Sequence, residues 1–281
     1  MITIARLTIG EAARKRVLWV LTILAVVAVA LTAFLVNLLV AGARESGVDE
    51  LRLKLGVSQV LIFIAFVFTF ILAMTAAFLG SPAISSDLDS GVAQALLARP
   101  LRRSSYLIGR WLGLAIVVVA YAAGSAILAI AAVAFVSGYT PPNVLMPVAF
   151  LTFQAIILLT LAVFVSTRLA PIAGGAVAVV AYGVAWLLGV VGDIGAALGA
   201  SGLEFISDVG RYVMPTDGLW RGVVYGLEPA IVIAAVGDQP LAQSNPFFAT
   251  QPPELGFVIW SLVWVVLVLL LSINELRRRE L

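Results

Sequence analysis

The sequence has no cysteine and no histidine. Without cysteine there is no disulfide framework, thiolate nucleophile or zinc–thiolate site. Without histidine the commonest metal ligand and general base are gone, and with them any Ser-His-Asp or Cys-His constellation. Charge is scarce as well: Asp, Glu, Lys and Arg make up 11% of 281 residues, while 62% are hydrophobic. A soluble domain of that composition would lack a polar coat, so the bilayer must be its solvent. No Gly-rich loop ending in Gly-Lys-Ser/Thr occurs, which leaves the chain without a P-loop of its own.

What is present is a set of long apolar runs. Arg6 and Arg14-Lys15-Arg16 precede the run Val17 to Val40, too long for the apolar core of a signal peptide and expected to be a retained span. A hydrocarbon core needs about 20 apolar residues per helix. By that measure six spans are predicted, at 17–41, 58–80, 107–137, 144–166, 171–191 and 256–273. Residues 2–16 precede them as an amphipathic stretch, with Ile2, Ala5, Ile9 and Ala12 on one face and Arg6, Gly10 and Arg14 on another, a pattern expected of a helix lying on the membrane surface. The predicted fold is therefore all-α, a single polytopic membrane domain over 1–281. It comprises an N-terminal surface helix, six transmembrane helices, a structured loop at 81–106 and a helical outer segment at 193–255.

Orientation follows from the basic residues. With both termini in the cytoplasm, twelve of the seventeen Lys and Arg residues lie inside, as the positive-inside rule requires. The segment 193–255 then lies outside. Its apolar stretch Ala230–Val236 is too short to cross and is expected to be a surface or re-entrant helix. Trp19, Trp111, Trp260 and Trp264 are expected to anchor helix ends at the interfaces. Asn37, Gln59, Gln154, Tyr121 and Tyr182 are expected to bond to neighbouring helices. No ionisable residue stands mid-span, which disfavours an ion path. The small-xxx-small spacings Gly109/Gly113, Gly195/Gly199 and Gly218/Gly222/Gly226 are candidate close contacts between helices.

The loop after the second span carries the most information. Ser86 followed by Asp89 resembles a capping box, and Asp87 and Asp89 suit a helix N-terminus. A helix is predicted to start there, with Leu88, Val92, Ala95 and Leu96 on one face, and to stop before Pro100. Such a helix is either a plain connector with Arg99, Arg102 and Arg103 as topology anchors, or a docking surface.

The run Asp87-Leu88-Asp89-Ser90-Gly91, followed by Leu96-Leu97-Ala98-Arg99-Pro100-Leu101-Arg102-Arg103 and by Leu107-Ile108-Gly109-Arg110, resembles the corresponding loop of type-2 ABC exporter permeases. The departures from the family pattern are Asp for the usual Glu at both acids, Val92 for Thr and Arg110 for Lys. The resemblance implies that this loop helix is a coupling helix seated on a separate ATPase. It assigns Asp87, Asp89, Gly91, Gln94, Arg99, Pro100, Arg102 and Arg103 to the docking surface. It further implies two copies of an ATP-binding subunit, with ATP and Mg held there and no cofactor on this chain, and a second permease half, identical or similar, in a cell membrane. No catalytic residues, metal ligands or nucleic-acid partner are expected. Two other classes compete with this reading. An ion-coupled carrier or channel would need polar groups along a path, and an intramembrane enzyme would need a convergent set of Ser, Thr, Lys or carboxylates. The cargo is not legible in the sequence.

Overall fold

The structure, a computed structural model, describes residues 1–92, 102–236 and 245–278. The described residues contain helices and no strands. In chain order the helices are α1 (Ile2–Arg14), α2 (Arg16–Glu45), α3 (Glu50–Gly80), α4 (Pro82–Asp89), α5 (Arg103–Ser137), α6 (Leu145–Ser166), α7 (Pro171–Leu198), α8 (Ser201–Val213), α9 (Thr216–Leu227), α10 (Ala230–Val236) and α11 (Leu255–Arg278). Six of them, α2, α3, α5, α6, α7 and α11, are long and apolar enough to cross a membrane. The all-α polytopic fold expected from the sequence is what the chain adopts. Helix α6 is the axis of the bundle and is buried on most sides, whereas α2 and α11 turn broad apolar faces outward.

Arg103 on α5 donates to the last carbonyls of α11, at Leu276 and Arg277, and Arg168 pairs with Glu275. These contacts gather α1, α4 and the C-terminal end of α11 at one end of the bundle, here called the basal face. The opposite, distal face holds α8, α9 and the connectors from α2 to α3 and from α5 to α6.

Helix boundaries depart from the sequence expectation in several places, three of which bear on the site. The second span does not stop at Gly80-Ser81-Pro82. Ser81 keeps helical dihedrals (φ −62°, ψ −34°) and its N–H bonds to Ala77, so α4 continues the rod of α3. Nor does a helix start at Ser86: Ser86 and Asp89 lie in the last turn of α4, where Ser90 donates to the Ser86 carbonyl through both its N–H and its hydroxyl. Proline is favoured in a first helical turn and glycine just past a last one. Pro82 and Gly91 (φ +74°) take those roles, and they override the capping-box pattern. Helix α7 likewise runs past residue 191 through Gly192-Asp193 and ends only at Gly199, in a left-handed turn (φ +64°).

The segment after α7 is not merely superficial. Helix α9 is buried along nearly its whole length against α6, α7 and α3. Glycines make this possible. A side chain at Gly218 would collide with the Phe257 ring, at Gly222 with Phe150, and at Gly226 with Pro147 and Met146. The buried Gln154 of α6 (2% exposed) donates to the Thr216 carbonyl at 2.7 Å and pins the start of α9. Trp260 and Trp264 donate to the Tyr212 and Val213 carbonyls at 2.9 and 2.7 Å, satisfying terminal acceptors of α8 that its own turns cannot. Tyr121 bonds to the Leu21 carbonyl, Tyr182 to Thr69 and Gln59 to Glu228, as expected of polar side chains in spans, while Asn37 is exposed on α2.

Candidate functional site

The basal face is built around Asp87. It sits on the inward side of α4 with Ala83 and Ile84, and it is 8% exposed. Tyr106 of α5 donates its hydroxyl to Asp87 Oδ2, and one turn further along α5 the Arg110 guanidinium closes on the same oxygen through Nη2 and, at 3.0 Å, through Nε. The third guanidinium nitrogen, Nη1, reaches Glu11 on α1. Burial pushes the Glu11 carboxyl up, but Arg110 and then Lys15 outweigh it and hold the group below its ordinary range. Three elements remote in sequence thus meet on one arginine.

The close seating of α1 on α5 rests on Gly109 and Gly113. A Cβ at Gly113 would lie 2.6 Å from the Ala5 carbonyl oxygen and 2.7 Å from Thr8 Cβ; one at Gly109 would lie 2.9 Å from Ile4 Cβ. The Gly109/Gly113 spacing is therefore a real helix contact, made with α1. The packed face of α1 is Ala5, Thr8 and Ala12, with Ile2 (86% exposed) turned away. The expected apolar face of α1 is thus divided: Ala5 and Ala12 pack on α5 beside Ile4, while Ile2 is left outward.

Four more residues of the predicted docking surface are described. Asp89 is exposed on the tip of α4, beside the exposed Ser90 and Val92. Gly91 supplies the left-handed turn that ends α4. Arg102 is exposed at the start of α5, and Arg103 is engaged with the end of α11. Gln94, Arg99 and Pro100 lie outside the described residues. Tyr106, Arg110 and Glu11 were not singled out as site residues from the sequence; Tyr106 and Arg110 stand one turn apart on α5, but no spacing ties them to Asp87 or Glu11 in other segments.

The distal face has its own polar centre. Asp193 of α7, Arg211 of α8, and Asp217 and Arg221 of α9 form a closed set of ion pairs. Arg211 Nε lies 3.0 Å from Asp217 Oδ2, and Arg221 pairs with Asp193. Both carboxylates are nearly inaccessible, whereas the arginines line an open cleft of about 450 Å³ with Asp208, Tyr212, Glu254 and Phe257. Glycine is required here too: side chains at Gly189 and Gly192 would run into Asp217 and Ser207. At the C-cap of α9, Glu228 is 1% exposed, accepts from Gln59 Nε2 at 3.1 Å, and has its second oxygen unpartnered. Burial pushes its carboxyl up to about 7 against the pull of the Gln59 hydrogen bond.

Between the two faces, α3, α5, α6 and Leu227 enclose a small apolar cavity, lined among others by Leu61, Phe68, Ala126, Ile130 and Leu151. Among the described residues no group of three or more acids could hold a metal ion. The geometry offers a packed helical bundle with an ion-paired joint at each end.

No curated protein matches the sequence at a significant level. The model of the ABC-2 family transporter proteins matches residues 2–281. With its six apolar helices and that match over nearly its whole length, the chain belongs to the ABC-2 family of transporter proteins, as a membrane-embedded transport permease.

Proposed function

We propose that this chain is the transmembrane subunit of an ATP-driven exporter, coupled through α4 and the loop that follows it to a separate ATP-binding subunit. The observation that carries this reading is the form of α4. It prolongs the rod of α3 at the bundle's basal end, its root is locked by Asp87, and its tip and the residues just past it present Asp89, Ser90 and Val92 to solvent. A rigid lever with an exposed tip is what an external machine needs in order to move a span.

The basal face carries Arg6, Arg14, Lys15, Arg16, Arg102, Arg103, Arg168, Arg277 and Arg278, which supports a cytoplasmic orientation for it and for both termini. In this arrangement Asp89, Gly91, Gln94, Arg99, Pro100 and Arg102 form the docking surface, and Asp87 and Arg103 tie that surface to the bundle. Two ATP-binding subunits hold ATP and Mg, and a second copy of this chain completes the path across the cell membrane. The chain itself performs no catalysis. Its part is to convert closure of the ATPases into a change in helix packing, with the cargo passing between permease halves.

The test is co-expression with the cognate ATP-binding subunit. The wild-type complex is expected to co-purify, and Asp89→Lys or a bulky residue at Gly91 is expected to abolish association. Association and ATPase activity unchanged by both substitutions would refute docking at this tip.

A further inference from the structure

We infer that Glu11, Asp87 and Arg110 form a three-way joint that carries displacement of α4 into α1 and α5 together, which makes Asp87 a positioning residue and not a contact for the ATPase. The inference rests on the coupled-exporter reading and deepens it. Asp87 points away from the face that a partner would touch; its side chain and that of Arg110 are each 11% exposed. Arg110 gives Nε and Nη2 to one Asp87 oxygen and Nη1 to Glu11. A planar guanidinium binding in two directions fixes angles as well as distances, which an ammonium on a flexible stem does not. Tyr106 holds the same carboxylate oxygen from a second point on α5.

The surrounding packing makes the joint stiff. Helix α1 rests on α5 through the Gly109/Gly113 notch, backbone against backbone. Lys15, in extended conformation (ψ 127°), separates α1 from α2, so α1 is attached more firmly to α5 than to the span that follows it in sequence. When the tip of α4 is pushed, moving it without α5 would strand the Arg110 charge, and moving α5 without α1 would break the glycine seam. Displacement of one element therefore takes all three. The role of α1 follows directly: it is a part that moves with the lever, its exposed face bearing Arg6, Leu7 and Arg14.

The experiment uses the complete complex with the ATP-binding subunit in lipid nanodiscs, and it requires no cargo. A single cysteine is placed at Leu7, which is 69% exposed on α1, and labelled with an environment-sensitive fluorophore; the chain has no native cysteine to interfere. A non-hydrolysable ATP analogue should shift the emission in the wild type. Asp87→Asn, Arg110→Lys and Glu11→Gln should retain the ATPase subunit yet reduce the nucleotide-dependent shift about tenfold or more, within the range of coupling between distinct sites. Glu11 is half-exposed, so Glu11→Gln tests the joint even where a change at Asp87 impairs folding, and Glu11→Asp should restore part of the signal. Loss of association in Asp87→Asn, with Glu11→Gln behaving as wild type, would overturn the joint and return Asp87 to the docking surface. A full emission shift in all three variants would overturn it as well. A wild-type chain that never binds the ATPase would instead remove the coupled reading itself.

Discussion

Two glycines of α5 should respond to the same substitution with opposite signs. At Gly113 an added Cβ would stand 2.6 Å from the Ala5 carbonyl oxygen and 2.7 Å from Thr8 Cβ. Ordinary contact between heavy atoms lies near 3.5–4.0 Å, so α1 must retreat by roughly 1 Å. The nearest obstacle is backbone and cannot turn aside. Overpacking of this kind costs about 1–3 kcal/mol, against a gain of about 1 kcal/mol from replacing a helical glycine by alanine. Gly113→Ala should thus destabilise by up to about 2 kcal/mol. At Gly124, three turns further along, nothing lies within 4 Å of the added atom. Gly124→Ala keeps only the propensity gain, at most about 1 kcal/mol of added stability. Thermal unfolding of the two variants in one detergent measures the difference. A cysteine at Ala12, buried at 1% exposure in the wild type, reports whether α1 has lifted, since it should become reactive only in the Gly113→Ala background. A Gly113→Ala protein as stable as wild type, with Ala12→Cys still protected, would refute the account of how α1 is seated.

The distal ion pairs should behave as a unit. Asp217→Ala leaves Arg211 and Arg221 facing a single buried acid and should cost about 3 kcal/mol, while Asp193→Ala added to it should cost less than the sum, read from thermal unfolding of the single and double variants. Glu228 sets a pH signature. Its folded pKa of about 7 lies above the ordinary carboxyl value of 4.5. The folded protein therefore holds the proton more tightly than the unfolded chain, and stability is greatest below about pH 4.5 and falls as pH rises through about 7. Melting curves at both ends of that range should show this decline in the wild type and a smaller one in Glu228→Gln; equal pH dependence of the two would contradict the assignment. Tyr182→Phe deletes the bond to Thr69, but Thr69 still donates to the Phe66 carbonyl at 2.7 Å. The loss should stay near or below about 1 kcal/mol, and a larger drop in melting stability would mean that the Tyr182 hydroxyl has a further partner.

The spans were legible because hydropathy is a local property that needs no partner. Some of their ends were not, because those ends are decided by what lies across the bundle. Helix α7 continues through Asp193 because Arg221 of α9 waits there to neutralise it, and the two are 28 residues apart. The spacing of Gly218, Gly222 and Gly226 was visible in the sequence. Its meaning lay in Phe257, Phe150 and Pro147, which belong to two other helices. The same holds for the site. An acid near a helix terminus could be recognised at Asp87, but whether its carboxylate faces solvent or protein depends on Arg110 and Tyr106, which only the packing of α4 on α5 brings to it. The capping-box reading failed for a local reason: the proline and glycine bracketing α4 place its ends more firmly than Ser86 and Asp89 can.

The rod formed by α3 and α4 links the two faces mechanically. Gln59, which contacts Glu228, and Asp87, which contacts Arg110, both ride on it, about 40 Å apart at the helical rise of 1.5 Å per residue. A rod of that length transmits tilt unless it contains a weak point, and it contains one. Pro82 has no N–H to offer the preceding turn, so the rod has a missing hydrogen bond close to its basal end. Yet that place is also the most tightly braced: Gly80 lies against Ala162 and Leu159 of α6, Gly174 and Gly175 of α7 lie against Ser81, and the Ser85 hydroxyl returns a bond to the Ser81 carbonyl at 2.8 Å. The missing backbone bond is thus offset by contacts from two other spans, and bending at Pro82 would have to break both. Under the proposed coupling, a displacement arriving at α4 would therefore be carried as tilt of the whole rod. That tilt would reach the distal side where Gln59 holds Glu228 through one hydrogen bond of 3.1 Å, a carboxyl group with no cation beside it among the described residues.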